Sequence, residues 1–238
     1  MPAAVDLGRR AAAEFISSAL LLATVVGSGI MGERLSGGNV AVALLANTLA
    51  TGAVLVALIL CFGPISGAHM NPAVSLVEAS RGQLPVRALP VYLGAQVLGA
   101  FAGVAAAHGM FEEPLFTAST HARAGSAQLF SEFVATFGLL SVIFGCVRHR
   151  PSWVPLAVGS YITAAYWFTA STSFANPAVT LARSFTNTFS GIRPSDAPGF
   201  ILAQLVGAAT ASAFFGWLLP KEAHSTPATA PKQDGTHP

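Results

Sequence analysis

The chain contains few charged residues. Asp, Glu, Lys and Arg make up only 9% of its 238 residues, against about 25% in a typical soluble domain, while 53% are hydrophobic and the mean hydropathy is +0.62. This number of ionic groups is too small to solvate the surface of a soluble protein. We therefore predict a protein embedded in the lipid bilayer. A net charge of only +2 also argues against a nucleic-acid partner.

Cysteine is also scarce. The chain has two, Cys61 and Cys146, each inside an apolar run, which excludes a disulfide framework. They are interpreted as two small packed thiols, and the alternative, a thiol pair that binds a metalloid, has no support from their spacing. The sequence contains no visible nucleotide site, metal-ligand cluster or catalytic triad, so we predict neither an enzyme nor a cofactor.

Six apolar segments of roughly twenty residues are long enough to cross a bilayer. They are predicted at 10–31, 39–62, 87–107, 127–147, 153–170 and 199–219. The first follows two arginines, as in a signal peptide, but it is long and has no clear cleavage site, so we expect it to be retained. Residues 1–8 form an N-terminal tail, and residues 220–238 are predicted to be disordered.

One short motif occurs twice. Met70–Leu76 has the sequence MNPAVSL and Ala175–Leu181 has ANPAVTL, each in an apolar segment too short to cross a membrane. Asn before Pro is typical of a helix start, because Asn is a strong N-cap and Pro fits the first helical position. Irregular backbone precedes both motifs, and it is tolerated at membrane depth only against protein or a water-filled cavity. We therefore predict two re-entrant half-helices that line one passage.

The duplication extends beyond the motif. Glu-Phe opens the first and fourth spans, at Glu14 and Glu132, and a Gln-x-x-Gly pattern recurs in the third and sixth. Each half thus contains span, span, half-span, span, and this odd number of crossings inverts the second half. The predicted fold is an all-α membrane protein with six transmembrane helices, two half-helices and an inverted repeat, about 9–108 and 127–219. Gly99-x-x-x-Gly103 permits close helix approach, within one monomer or between monomers.

The distribution of basic residues predicts the orientation, since they favour the cytoplasmic side. With a cytoplasmic N-terminus, eight lie inside and four outside. The inner set is Arg9, Arg10, Arg81, Arg87, Arg148, Arg150, Lys221 and Lys232; the outer set is Arg34, Arg123, Arg183 and Arg193. Both termini are therefore predicted to be cytoplasmic, with the polar loop 108–126 over the outer mouth.

Together these residues resemble the aquaporin, or major intrinsic protein, family. The resemblance covers about 9–219 and includes SGAHMNPAV at Ser66–Val74, the second Asn-Pro-Ala, the Glu-Phe openings and the Gln-x-x-Gly spans. It implies a right-handed bundle whose half-helices meet at mid-membrane, in homotetramers with one pore per monomer. It also implies a bacterial inner-membrane location and passive movement of small neutral solutes through the bilayer.

The two motifs are predicted to form the centre of the pore, through Asn71, Pro72, Ala73, Asn176, Pro177 and Ala178. Two abutting helix N-termini make the centre electropositive, which raises the barrier to cations and protons. The Asn amides offer donors to a solute oxygen, and the loop carbonyls before each motif offer acceptors. The alternative, that both Asn residues are only N-caps, is compatible with pore lining.

Three ionisable residues in the apolar segments carry further hypotheses. Glu14 and Glu132 are functional suspects because intramembrane acids are costly. They are either a proton-coupling pair or, as the family resemblance implies, buried struts that accept hydrogen bonds from the two loops. His69 is expected to face the cytoplasmic half of the passage, with either a structural role or one in gating and pH sensing.

The family resemblance also implies an outer constriction, or filter, built from Thr51, Ala164, Ser173 and Val179. A different register of the fifth span would instead bring an aromatic residue into the filter, from Tyr166, Trp167, Phe168 or Phe174. The position after the second motif commonly holds Arg, and here it holds Val179. Val removes charge and bulk, so we predict a wide, weakly polar filter. Arg183, one turn further on, either restores charge at the outer mouth or pairs with loop carbonyls or headgroups.

The second motif and Thr51 resemble those of bacterial aquaglyceroporins from arsenic-resistance operons. This resemblance implies a channel for water, glycerol-like polyols and arsenous acid, and it leaves methylated arsenicals open. Two alternatives remain. One is a proton-coupled secondary transporter that uses Glu14 or Glu132, and the other is a non-conducting structural membrane protein.

Overall fold

A computed structural model describes residues 5–219, and within that range the chain is helical with no strand. The helices are α1 (Leu7–Leu35), α2 (Val40–Ser66), α3 (Pro72–Ser80), α4 (Leu89–Phe111), α5 (Ser126–His149), α6 (Val154–Phe168), α7 (Pro177–Arg183) and α8 (Ala197–Leu218). The 3₁₀ turns Val86–Ala88 and Pro151–Trp153 lead into α4 and α6. The tail predicted at 220–238 lies outside the described residues.

Five helices are long and apolar enough to cross a membrane: α1, α2, α4, α5 and α8. The sixth, α6, has only 15 residues and is roughly 22 Å long, although the turn at Pro151 extends its helical backbone. It ends two residues before the predicted boundary because Thr169 adopts an extended conformation. The predicted fold class, with α3 and α7 as its two half-helices, is confirmed.

The α2 helix continues past its predicted end. The sequence predicts irregular chain from Gly63, but the helix runs through Pro64 and stops at Ser66. The turn across Pro64 stays closed because the Gly67 amide donates to the Gly63 carbonyl at 3.0 Å. Gly67 then takes a φ of 92°, a left-handed conformation that favours glycine, and ends the helix.

The helices form two matching groups. The α1 helix packs against α2 and α4, and its counterpart α5 packs against α6 and α8. The half-helices α3 and α7 contact each other where the groups meet. Buried apolar residues from both groups form one continuous core around them.

Glycines allow α4 and α8 to approach their partners closely. A Cβ on Gly99 or Gly103 of α4 would collide with the α1 backbone at Phe15 or Ala19. Gly207 of α8 lies in the same way against the carbonyl of Phe133 in α5. The Gly99-x-x-x-Gly103 spacing therefore serves a contact within the monomer.

Adding a methyl group at this contact is expected to destabilise the fold. Gly99→Ala forces apart the α1 and α4 backbones, which should cost about 1–3 kcal/mol and lower the thermal unfolding midpoint in detergent. Gly94→Ala, in the same helix but with no neighbouring atom within 4 Å, is the control and should unfold no earlier than the parent. Equal midpoints for both variants would contradict this packing.

Candidate functional site

The two half-helices meet at their N-terminal tips. Asn71 and Asn176 cap α3 and α7, and each side-chain oxygen accepts an amide N–H from its own first turn. Each amide nitrogen also crosses to the other half: Asn71 donates to the Ala175 carbonyl at 2.8 Å, and Asn176 donates to the Met70 carbonyl at 2.7 Å. These reciprocal bonds fix the tips against each other.

Both asparagines line a cavity of about 270 Å³ that passes the tips. An amide group carries two N–H donors, and each crossing bond uses one. The second donor of Asn71 and of Asn176 is therefore free for a solute in the cavity. The two residues both cap their helices and line the passage, so the two interpretations hold together.

The loops before the motifs follow an unusual backbone path. Ala68, Met70, Ser173 and Ala175 all have φ between 48° and 51°, in the left-handed region that residues other than glycine rarely adopt. Residues from both loops line the cavity. In the described chain, no protein donor reaches the carbonyls of Gly67, Ala68 and His69 or those of Ser173 and Phe174. These groups can accept hydrogen bonds from a solute.

Glu14 holds the first loop in this conformation. Its fully buried carboxylate accepts bonds from the backbone amides of His69 at 2.9 Å and Met70 at 2.7 Å. The Ser66 hydroxyl donates to it at 2.6 Å and the Gln96 amide at 2.8 Å. These four donors supply the stabilisation that the strained loop needs.

Glu132 holds the second loop through equivalent contacts. It accepts from the amides of Phe174 at 2.9 Å and Ala175 at 2.8 Å, and from the Gln204 side chain at 2.6 Å. Gln204 also donates to Thr180 at 2.8 Å, which ties α8 to α7. Neither Glu132 nor its counterpart in α1 borders the cavity. This geometry favours a structural role for both residues. Neither carboxylate is exposed to the cavity, from which a coupled proton would have to come.

His69 lines the cavity on the α3 side of the tips. Its Nδ1 shares a hydrogen bond of 2.9 Å with the Ser75 hydroxyl, and its ring lies 5.4 Å from that of Tyr92. These contacts fix the imidazole against α3 and α4. They are the contacts expected of a histidine with a structural role.

The part of the cavity next to α7, which the predicted orientation makes its outer end, includes three of the four predicted filter residues: Thr51, Ser173 and Val179. The structure does not place Ala164 there, because that residue lies on the exposed face of α6. Tyr166, two positions further on, lines the cavity instead, and its hydroxyl donates to the Thr51 hydroxyl at 3.3 Å. The fifth-span filter position is therefore corrected from Ala164 to Tyr166.

Arg183 borders the same outer end. The residue is 2% exposed, its guanidinium carbon lies 3.4 Å from the centroid of the Phe174 ring, and its Nε donates to the Ser190 carbonyl. Both interpretations of Arg183 thus hold in part, since it pairs with a loop carbonyl and also brings a charge to the passage. The Phe174 ring and the Ser190 carbonyl fix the position of the guanidinium.

Sequence reasoning missed Glu78, which borders the other end of the cavity. Glu78 is the seventh residue after Asn71, and Arg183 is the seventh after Asn176, so the repeat makes them equivalent positions. Because the second half is inverted, one end of the passage has an acid and the other a base. The sequence could have identified Glu78, because the repeat that pairs the two asparagines also pairs Glu78 with Arg183.

The outer loop contributes a second arginine that the sequence did not single out. Arg123 Nε donates to the Gly191 carbonyl at 2.8 Å, and its backbone N–H donates to Asp196 at 2.9 Å. The Arg193 side chain donates to the same carboxylate, and this bond chiefly holds the pKa of Asp196 below its ordinary value. An ionised Asp196 thus fixes the backbone of the loop at Arg123.

The cysteines take no part in this site. Cys61 is exposed, so it is not the packed thiol expected from the sequence, and Cys146 is half-buried; neither lines the cavity. Within residues 5–219, no group of three or more His, Cys, Asp or Glu side chains is arranged to hold a metal ion.

Comparisons with known proteins give consistent matches. Residues 3–173 match the sequence profile of the family described as Major intrinsic protein. The chain is 56% identical to Aquaglyceroporin AqpS of Rhizobium meliloti (strain 1021) over 230 residues, which are 95% of this chain and 98% of that protein. It is 32% identical to Aquaporin NIP6-1 of Arabidopsis thaliana over 143 residues, which are 60% of this chain and 46% of that protein.

A solved structure has a similar fold. The aquaglyceroporin from Plasmodium falciparum superposes with a TM-score of 0.68 over 88% of this chain and 96% of that one. The sequence identity is only 22%, so this likeness supports the fold and no finer property.

Proposed function

The chain belongs to the major intrinsic protein family, and from that premise we propose that it conducts arsenous acid passively, together with water and glycerol-like polyols. It is an integral membrane channel of the aquaglyceroporin type for water and small solutes, and its family is one of membrane channels rather than enzymes. The finer substrate assignment depends chiefly on one observation: uncharged Val179 lines the outer end of the cavity, where the resemblance leads us to expect arginine.

The centre of the passage suits a neutral solute that carries hydroxyl groups. The free amide donors of Asn71 and Asn176 lie between loop carbonyls that accept no protein hydrogen bond. A polyol or arsenous acid can replace its hydrogen bonds to water, one after another, with bonds to these groups. A cation instead meets the positive ends of two helices, and nothing there compensates for its lost hydration. The facing wall is apolar and includes Leu139, Ile143 and Val158.

The outer filter combines hydroxyl groups with a small apolar residue. Thr51 and Tyr166 contribute two hydroxyls that are bonded to each other, and Ser173 also lines the wall, with its hydroxyl buried and without a protein partner. Val179 fills less of the opening than an arginine would. The absence of an arginine at position 179 supports a filter that is wide enough for a compact triol such as arsenous acid, although Tyr166 adds bulk that the sequence did not assign there. Methylated arsenicals are further candidates.

Osmotic swelling of proteoliposomes tests the proposal. With purified protein, we expect stopped-flow light scattering to show permeation of water, glycerol and arsenous acid at pH 7, well above the rates of protein-free vesicles. The flux should rise linearly with the gradient and have a low activation energy. Water and glycerol permeation without arsenous acid permeation would remove the finer assignment and leave the channel function intact.

The same measurement distinguishes the two alternatives. A proton-coupled transporter would saturate and respond to a pH gradient, and a non-conducting structural protein would give no swelling. The enclosed, fully bonded carboxylates of Glu14 and Glu132 favour a channel over coupled transport.

Assembly and orientation belong to the same proposal. We propose a homotetramer in a bacterial inner membrane with both termini in the cytoplasm. The exposed apolar residues on α2 and α8, such as Leu49, Leu60, Leu202 and Val206, provide surface for neighbouring subunits or lipid. Native mass spectrometry and protease access to the C-terminus in inside-out vesicles would test these two points.

A further inference from the structure

Two arginines border one cavity outside the filter. This outer cavity has a volume of about 330 Å³ and is lined by Arg123 of the loop between α4 and α5 and by Arg183 at the end of α7. Arg183 also lines the central cavity, so it lies where the two spaces meet.

Neither guanidinium has a carboxylate partner in the part of the chain that the structure describes. Arg183 donates to the Ser190 carbonyl, and Arg123 donates to the carbonyls of Gly191 at 2.8 Å and Ser171 at 3.2 Å. Glu33 lines the same cavity, but it forms no ion pair with either arginine. Charges removed from water are ordinarily paired, so a buried Arg183 and a half-buried Arg123 in one place are exceptional.

One aromatic ring places the two charges near each other. The guanidinium carbons of Arg183 and Arg123 lie 3.4 Å and 5.0 Å from the centroid of Phe174. Burial lowers the pKa of the Arg123 guanidinium, which reflects the cost of desolvating this cation, although the Coulombic attraction of Glu132 opposes the shift. The ring stabilises both cations but does not neutralise them.

Several hydrogen-bond donors remain unused around the outer cavity. A guanidinium carries five N–H groups, and the Ser190 carbonyl takes only the Nε–H of Arg183. Arg123 keeps its second terminal nitrogen free of protein acceptors. The cavity thus combines two guanidinium groups that keep unused donors with one carboxylate, Glu33, that pairs with neither of them.

We propose that the outer cavity is a binding site for a small free oxyanion, held by Arg123 and Arg183. The planar guanidinium fork pairs with two oxygens of a carboxylate, nitrate or phosphate group. Because Arg183 also borders the passage, a bound anion obstructs the outer opening and slows neutral solutes. This inference concerns the outer cavity alone and does not depend on whether arsenous acid is a substrate.

Direct titration tests the site. Isothermal calorimetry on the full-length protein in lipid-free non-ionic detergent, with formate and then phosphate at constant ionic strength, should show saturable binding. Arg123→Gln should weaken binding about tenfold, the effect of losing one charge-assisted hydrogen bond. Arg34→Gln is the matched control, because Arg34 is an exposed outer arginine that pairs with Glu113 and does not line the cavity, and it should bind like the parent.

A flux measurement adds an independent readout. Formate should slow glycerol permeation into parent proteoliposomes, and the half-maximal concentration should rise about tenfold in Arg123→Gln. Arg183→Lys keeps the charge but loses the fork, and it should also weaken block. The proposal is overturned if the folded parent binds neither anion saturably, if Arg123→Gln and parent bind equally, or if binding requires phospholipid, which would assign the donors to a headgroup phosphate.

Discussion

Glycerol and arsenous acid permeation should fall at least about tenfold in Val179→Arg, while water permeation falls less. The Val179 side chain is buried at the outer end of the cavity, one helical turn before Arg183. A guanidinium there would fill the opening and add charge beside an existing cation, and a tenfold loss needs only about 1.4 kcal/mol of extra barrier. Stopped-flow light scattering on matched proteoliposomes measures all three rates.

A second substitution separates bulk from charge. Val179→Leu enlarges the side chain without charge, so it should slow the larger solutes modestly and leave the order of permeabilities unchanged. If Val179→Arg passes glycerol and arsenous acid as fast as the parent does, then Val179 is not a filter residue.

Loss of folded protein is the expected result for Glu132→Gln and Glu14→Gln. The Glu132 carboxylate receives three donors and the Glu14 carboxylate four, and one oxygen of each is replaced by an NH₂ group in the variant. An amide that faces these donors leaves at least one buried N–H unpaired, at about 1–3 kcal/mol each, and frees the strained loop. Fluorescence-detected size exclusion and thermal unfolding in detergent measure the loss.

Glu33→Gln provides the control, because Glu33 lies on the exposed end of α1 and its carboxylate accepts no hydrogen bond from the described residues. Its yield and unfolding midpoint should equal those of the parent. A well-folded Glu132→Gln variant that has lost proton-driven solute accumulation would instead establish the transporter alternative.

Local rules explain why the half-helices could be predicted from the sequence. Asn71-Pro72 and Asn176-Pro177 determine their own helix starts, since an N-cap and a proline at the first turn require no distant partner. Hydrophobic length likewise predicted six spans, and five of them are helices long and apolar enough to cross a membrane. The predicted carboxylate struts followed from the family resemblance, and the structure adds the individual donors.

Features that depend on tertiary packing were not predictable in the same way. The sequence left both Ala164 and Tyr166 open as the fifth-span residue of the filter. Tyr166 lines the cavity because α6 packs against α2, where Tyr166 meets Thr51, a residue 115 positions away. Arg123 reaches the outer cavity through a bond to Gly191, 68 positions away, that no local pattern indicates. The extension of α2 through Pro64 was also missed, because proline ordinarily ends a helix. Here the helix continues because the surrounding turn stays hydrogen-bonded.

The ratio of arsenous acid to water permeability, measured by stopped-flow on the parent and on Val179→Arg at pH 7, tests the central claim most directly. If the outer filter is open because position 179 has no arginine, this ratio should be substantial in the parent and about tenfold lower in the variant. An unchanged ratio, or a parent that excludes arsenous acid while passing water, would contradict it.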